Sequence, residues 1–195
     1  MLKYLNGLEF LIDSKWSLIF SIIFVCVISG ILFVLFSRRL PKDGGREFAF
    51  NGELSKGKPR GAGLIIITVF AVAALLFIPI SIENVCYYIL ISACMCAGYL
   101  DDNSKIPWGE YKKGLIDFIV ALFTAIVFIK FNEESTSITF LDFKYEIPSL
   151  LFIIFATILI WISINVTNCA DGIDGFSGVL TIITLSSIGV IGFFQ

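Results

Sequence analysis

Histidine is absent from the 195 residues, so any proton transfer must use other groups. Charge is scarce as well. Only 15% of residues carry it, and a net value of −2 favours no class of partner; nucleic acid is not an expected one. The five cysteines (Cys26, Cys86, Cys94, Cys96, Cys169) show no paired ligand spacing apart from Cys94-x-Cys96. They read as small hydrophobes rather than as a disulfide frame or a zinc site. The first 15 residues have no basic stretch leading into a small-residue cleavage site, so no cleavable signal is expected. Internal repeats and low-complexity linkers are also missing, and residues 1–195 read as a single integral membrane domain.

Apolar residues dominate. They make up 57% of the chain, with a mean hydropathy of +0.93 and 20 Phe. Continuous runs approach or reach the length that crosses a hydrocarbon core, about 20 residues. An outer-membrane barrel would instead alternate in polarity over short segments. Six runs stand out: Trp16–Phe36, Leu64–Ile82, Val85–Leu100, Gly114–Ile129, Ser149–Val166 and Phe176–Phe194. The fold class expected is all-α and polytopic, with six transmembrane helices. Glu83-Asn84 reads as a tight turn between the second and third runs. Ser137–Phe140 and Phe143–Ile147 alternate around Asp142, which predicts a small outer hairpin between helices 4 and 5.

Loop charge sets the orientation. Arg38, Arg39, Lys42, Arg46, Lys56, Lys58 and Arg60 fill the 37–63 loop, and Lys105, Lys112 and Lys113 follow in the 101–113 loop. The 132–148 loop sets Lys144 against Glu133, Glu134, Asp142 and Glu146. The 37–63, 101–113 and 167–175 loops are therefore expected in the cytoplasm, with both termini and the acidic hairpin outside.

Three stretches on that side can carry chemistry. Asp101-Asp102 ends the third run. Adjacent carboxylates repel unless a cation intervenes, and hard oxygens beside a basic loop suit Mg²⁺ held together with a phosphate. The plain alternative is a solvated helix end, although acidic residues there oppose the helix dipole. Lys105, Lys112 and Lys113 suit phosphate oxygens but also serve as ordinary positive-inside lysines. Lys113 and Asp117 are four apart and share a helix face. Lys56–Gly63 is a glycine- and base-rich approach to the second helix, able to cradle an anion or simply to meet anionic lipid.

The third stretch, Asn165–Gly175, sets Asn165, Asn168, Asp171 and Asp174 at a spacing of three, with two Asp-Gly steps that read as turns. Carboxylates and amides here are costly to desolvate. A polar connector is the bland reading; a binding loop is the sharp one. It lacks the ligand spacing and terminal Glu of a calcium-hand loop.

These motifs together resemble the polyprenyl-phosphate N-acetylhexosamine-1-phosphate transferases. That family carries an Asp-Asp pair ending the third transmembrane helix, often with Lys three positions on, as in Asp101-Asp102-Asn103-Ser104-Lys105. It also carries Asn-x-x-Asn-x-x-Asp-Gly-x-Asp-Gly after the fifth helix, matched from Asn165 to Gly175. The Lys56–Gly63 approach matches more loosely.

The resemblance implies transfer of a phospho-sugar from a UDP-sugar to undecaprenyl phosphate, with Mg²⁺, releasing UMP. It implies catalytic and metal-binding roles for Asp101 and Asp102, and substrate contacts from Asn165, Asn168, Asp171, Asp174, Lys105, Lys113 and Lys58. Asp117 departs from the amide the family places there. The Asp-Asp-x-x-Lys form leans toward the muramoyl-pentapeptide branch, in the bacterial cytoplasmic membrane, where homodimers are usual. Family members have roughly ten transmembrane helices, with a third essential Asp and a histidine-rich loop beyond the sixth. The chain is therefore expected to be the N-terminal part of such a fold. The alternative is a catalytically incomplete remnant that binds nucleotide or lipid, or a small cation carrier using the same carboxylates.

Overall fold

The computed structural model describes residues 15–45, 53, 56–104, 106, 108–132, 136–140, 143–170 and 176–194. Among them are six helices: α1 (Lys15–Phe36), α2 (Gly63–Phe77), α3 (Ile82–Asp102), α4 (Glu110–Phe131), α5 (Ser149–Ala170) and α6 (Phe176–Phe194). Two short strands, β1 (Ser137–Phe140) and β2 (Phe143–Glu146), lie between α4 and α5. They pair antiparallel, with Ser137 opposite Glu146 and Phe140 opposite Phe143. Internal contacts group the chain into two compact units, Met1–Glu110 and Tyr111–Gln195.

Four helices are long and apolar enough to cross a membrane, over Ile19–Phe36, Ile82–Asp102, Glu110–Phe131 and Ser149–Cys169; α2 and α6 are shorter apolar helices. Large apolar side chains stand exposed on all six, among them Val34, Ile66, Ile89, Phe123, Leu159 and Ile182. Helices apolar on their outer faces belong in lipid, which makes this a multi-pass membrane protein. Many hydroxyls on these helices are satisfied locally, although the buried Ser29 Oγ and Thr157 Oγ1 have no hydrogen-bond partner. Thr68, Thr124, Ser163, Thr181 and Ser187 each donate to the carbonyl four residues back, at 2.6–2.9 Å. Such bonds spare a polar atom from facing hydrocarbon unpaired.

In the first unit, Leu40, Ile65 and Val69 form a small core against Phe24, Val25, Ile28, Leu32 and Tyr99. The second apolar run breaks earlier than its hydropathy suggests. Pro79 disfavours helical backbone at the residue before it, and Ile78 is extended (φ −103°, ψ 141°). Helix α3 then starts at Ile82, three residues ahead of the expected Val85. Ser81 is its N-cap, with its Oγ accepting from the Asn84 amide at 3.0 Å. Glu83 sits in the first turn, where a carboxylate favours the dipole. The expected turn at Glu83-Asn84 is therefore corrected: those residues are helical, and the chain reverses at 78–81.

In the second unit, Ala121 and Ala125 are fully buried on one stripe of α4 with Ile129, and Thr157 of α5 is 3% exposed. Small residues on such a stripe let neighbouring backbones approach. Aromatic pairs lock α4 to α5: Phe118 meets Trp161 edge-on at 6.0 Å, and Phe128 stacks on Phe152 at 5.7 Å. The Trp161 indole N–H donates to the Gly114 carbonyl at 2.8 Å.

Enlarging the buried stripe should cost stability. Ala121→Leu is expected to destabilise by about 1–3 kcal/mol through overpacking, whereas Leu115→Ala, at an exposed position, should stay within about 0.5 kcal/mol. Unfolding in mixed micelles under a denaturing-detergent titration reads both.

Candidate functional site

Helix α3 ends on the carboxylate pair, and the two carboxylates have different partners. Asp101 organises the turn that follows. Its Oδ1 accepts from the Trp108 amide at 2.8 Å. Its carbonyl accepts from the Ser104 amide at 3.0 Å and from the Ser104 hydroxyl at 2.7 Å. The same hydroxyl lies 2.7 Å from the Ile106 carbonyl. Asp102 points to a different segment: its Oδ1 pairs with the Arg60 guanidinium at 3.1 Å. The side chains are 25% and 48% exposed respectively. An ion pair that open contributes about 0.2–1 kcal/mol and exchanges readily.

Arg60 is held in place by its backbone. Residues 41–45 and 57–60 run side by side, with Lys42 bridging Pro59. The Asp43 amide donates to Lys58 O at 2.8 Å, Gly57 N to Asp43 O at 2.9 Å, and Arg60 N to Pro41 O at 2.7 Å. Gly61 then takes φ +74°, and a Cβ there would sit 3.1 Å from the Tyr99 ring and 3.9 Å from Asp102 Oδ2. Only glycine accepts that conformation and that approach without strain. The glycine- and base-rich stretch is thus built against the end of α3. It delivers Arg60 to the carboxylates, and Lys58, the residue expected to bind substrate, is exposed.

The Asn165–Gly175 stretch also differs from its expected form as a loop. Helix α5 runs four residues past the apolar run, so Asn165 and Asn168 are helical and share a face. The Asn165 side-chain amide donates to Trp161 O at 2.8 Å, and Thr167 Oγ1 donates to Ser163 O at 2.8 Å. These back-bonds let polar residues continue a helix that hydropathy alone would end. Asn165 is half-buried and Asn168 exposed. Lys113 and Asp117 lie one turn apart on α4, both half-buried. Lys105, Asp171 and Asp174 lie outside the described residues.

Within the first unit, then, the structure brings together Asp101, Asp102, Arg60 and the Trp108 amide. Arg60 was legible in the sequence only as one of several basic loop residues. No spacing rule pairs it with a carboxylate across the whole of α2. Among the described residues no group of three or more His, Cys, Asp or Glu side chains is placed to hold a metal ion. The described donors are the two carboxylates, and such a pair is the usual protein share of a Mg²⁺ shell completed by phosphate oxygens and water.

The family model of glycosyl transferase family 4 matches residues 84–195. A phospho-N-acetylmuramoyl-pentapeptide-transferase of Treponema pallidum (strain Nichols) is 38% identical over 160 residues, which is 80% of this chain and 44% of the relative. The protein of the same name from Wolbachia sp. subsp. Drosophila simulans (strain wRi) is 26% identical over 177 residues, 83% of this chain and 53% of the relative. The chain spans about half the length of the curated relatives it matches. No solved structure matches.

Gly61→Ala should destabilise by about 1–2 kcal/mol from the left-handed backbone alone, with the Tyr99 contact adding to it. Gly44→Ala, with open space around it, should be close to neutral. Thermal unfolding in detergent, followed by accessibility of the native cysteines, distinguishes the two.

Proposed function

Because the chain belongs to glycosyl transferase family 4, we propose that it works in the transfer of a phospho-sugar from a UDP-sugar to undecaprenyl phosphate, with release of UMP. The observation that carries this reading is the Asp101-Asp102 pair, set at the end of an apolar helix and met there by a basic segment. The relatives named above support phospho-MurNAc-pentapeptide as the group transferred.

The chemistry asks for little beyond alignment and charge. An oxygen of the lipid phosphate attacks the phosphorus that carries the sugar. The anhydride bond to the uridine-bearing phosphate breaks, UMP leaves, and the sugar–oxygen bond is untouched. No proton needs to move for that exchange. The difficulty is bringing anions together, and preorganised charge is what overcomes it.

Asp101 and Asp102 would hold Mg²⁺, whose contribution when bound is to neutralise diphosphate charge. Lys58, Lys105 and Lys113 would bind phosphate oxygens. Asn165, Asn168, Asp171 and Asp174 would line the nucleotide-sugar pocket. In this reading the basic loops face the cytoplasm, where a nucleotide sugar is available. Both termini and the β1–β2 hairpin face outward across a bacterial inner membrane, and two copies assemble as a homodimer.

The test is UMP release by the protein in membranes supplied with the UDP-sugar, undecaprenyl phosphate and Mg²⁺. Asp101→Asn and Asp102→Asn should each lower kcat by about 100-fold or more while the protein still inserts and folds. Undiminished turnover in either variant would reject the assignment.

A further inference from the structure

We propose that Arg60 is a displaceable counter-ion: it pairs with Asp102 while the site is empty, and passes to a phosphate oxygen when a divalent cation takes that carboxylate. The inference rests on the metal-assisted phosphoryl chemistry proposed above and assigns a residue to it. Neither the Asp-Asp pair nor the basic loop reveals this role separately.

The geometry supplies each part. The guanidinium reaches Asp102 Oδ1 at 3.1 Å. Both side chains keep solvent contact, so an incoming hydrated cation can reach the carboxylate without unfolding anything. The base of Arg60 is fixed independently of that contact. Its amide donates to Pro41 O, and the neighbouring 57–59 backbone is bonded to 42–43. Losing Asp102 therefore leaves the guanidinium beside the site rather than adrift. The next residue, Gly61, carries no side chain that would separate the segment from Tyr99 and Asp102. A guanidinium binds carboxylate and phosphate with the same planar fork, so exchanging one for the other changes the partner but not the kind of bond. Asp101 is not equivalent, because its Oδ1 is engaged by the Trp108 amide, a contact inside its own loop.

Arg60 thus has two opposed effects. Without substrate its charge competes with the cation for Asp102. With a phosphate present it adds an anion contact. A residue that merely braced the fold would weaken both bindings or neither.

The experiment uses the full chain in nanodiscs, with Mn²⁺ binding followed by electron paramagnetic resonance in the absence of substrate. Arg60→Ala should tighten Mn²⁺ by roughly 3- to 10-fold, the scale expected for removing one partly screened positive charge. Arg60→Lys should stay near wild type, and Arg60→Gln, which keeps a long polar side chain, should follow Arg60→Ala. In an Asp102→Asn background the Arg60→Ala effect should vanish.

With Mn²⁺ bound, affinity for inorganic pyrophosphate or for a short-chain polyprenyl phosphate should fall by about 5- to 10-fold in Arg60→Ala. A loss for pyrophosphate assigns Arg60 to a diphosphate, and a loss for the polyprenyl phosphate assigns it to a lipid phosphate. Unchanged or weaker Mn²⁺ binding in both neutral variants would overturn the proposal, and so would unchanged affinity for both phosphate probes. Because the Mn²⁺ measurement needs no turnover, wild-type protein that shows these shifts but never releases UMP would count against the transferase reading alone.

Discussion

Two adjacent carboxylates at the end of an apolar helix repel one another, oppose the helix dipole, and border a medium that solvates neither. Much of the described structure around them answers that constraint. One carboxylate is turned into its own loop, where the Trp108 amide closes the chain back on Asp101. The other faces a guanidinium carried by a segment that arrives from beyond α2. That segment needs its antiparallel bonds to 41–43 and a glycine at position 61 to come so close. A fold concerned only with stability would not place an acidic pair there and then build a basic approach to it, since neutral helix ends are cheaper.

The helices themselves follow the rules of lipid rather than of water. Apolar side chains cover their outer faces, several hydroxyls bond to the preceding turn, and the closest packing on α4 uses alanine. The tryptophan that joins α4 and α5 satisfies its polar atom on the Gly114 carbonyl. Such economy with polar atoms sharpens the contrast with the helix ends, where charge is concentrated.

Much of this architecture was legible in the amino-acid order. Continuous apolar runs announced the helices, and the boundaries of α6 coincide with the run that predicts it. The misreadings have local causes. Hydropathy counted Pro79 and its neighbours as one span, but the backbone restriction before proline outweighs hydropathy at Ile78. Glu83 and Asn84 looked like a polar turn and instead form the capped first turn of α3. Asn165 to Asn168 looked like the start of a loop, yet side-chain bonds to the preceding turn keep them helical. For the candidate site, Asp101 and Asp102 were identifiable from their position at the end of an apolar run. The Arg60 contact was not, because it depends on how 57–61 folds against 41–45, a tertiary matter that periodicity does not encode.

The reaction proposed for this member of glycosyl transferase family 4 is one in which the phosphate travels with the sugar. That class is separated from ordinary glycosyl transfer by the identity of the nucleotide released. The decisive measurement is chromatography of the nucleotide product formed by the protein in membranes from a UDP-sugar and undecaprenyl phosphate. The account predicts UMP, formed in step with a lipid diphospho-sugar and only when a divalent cation is present. Release of UDP, or turnover that persists after the cation is chelated, would contradict it.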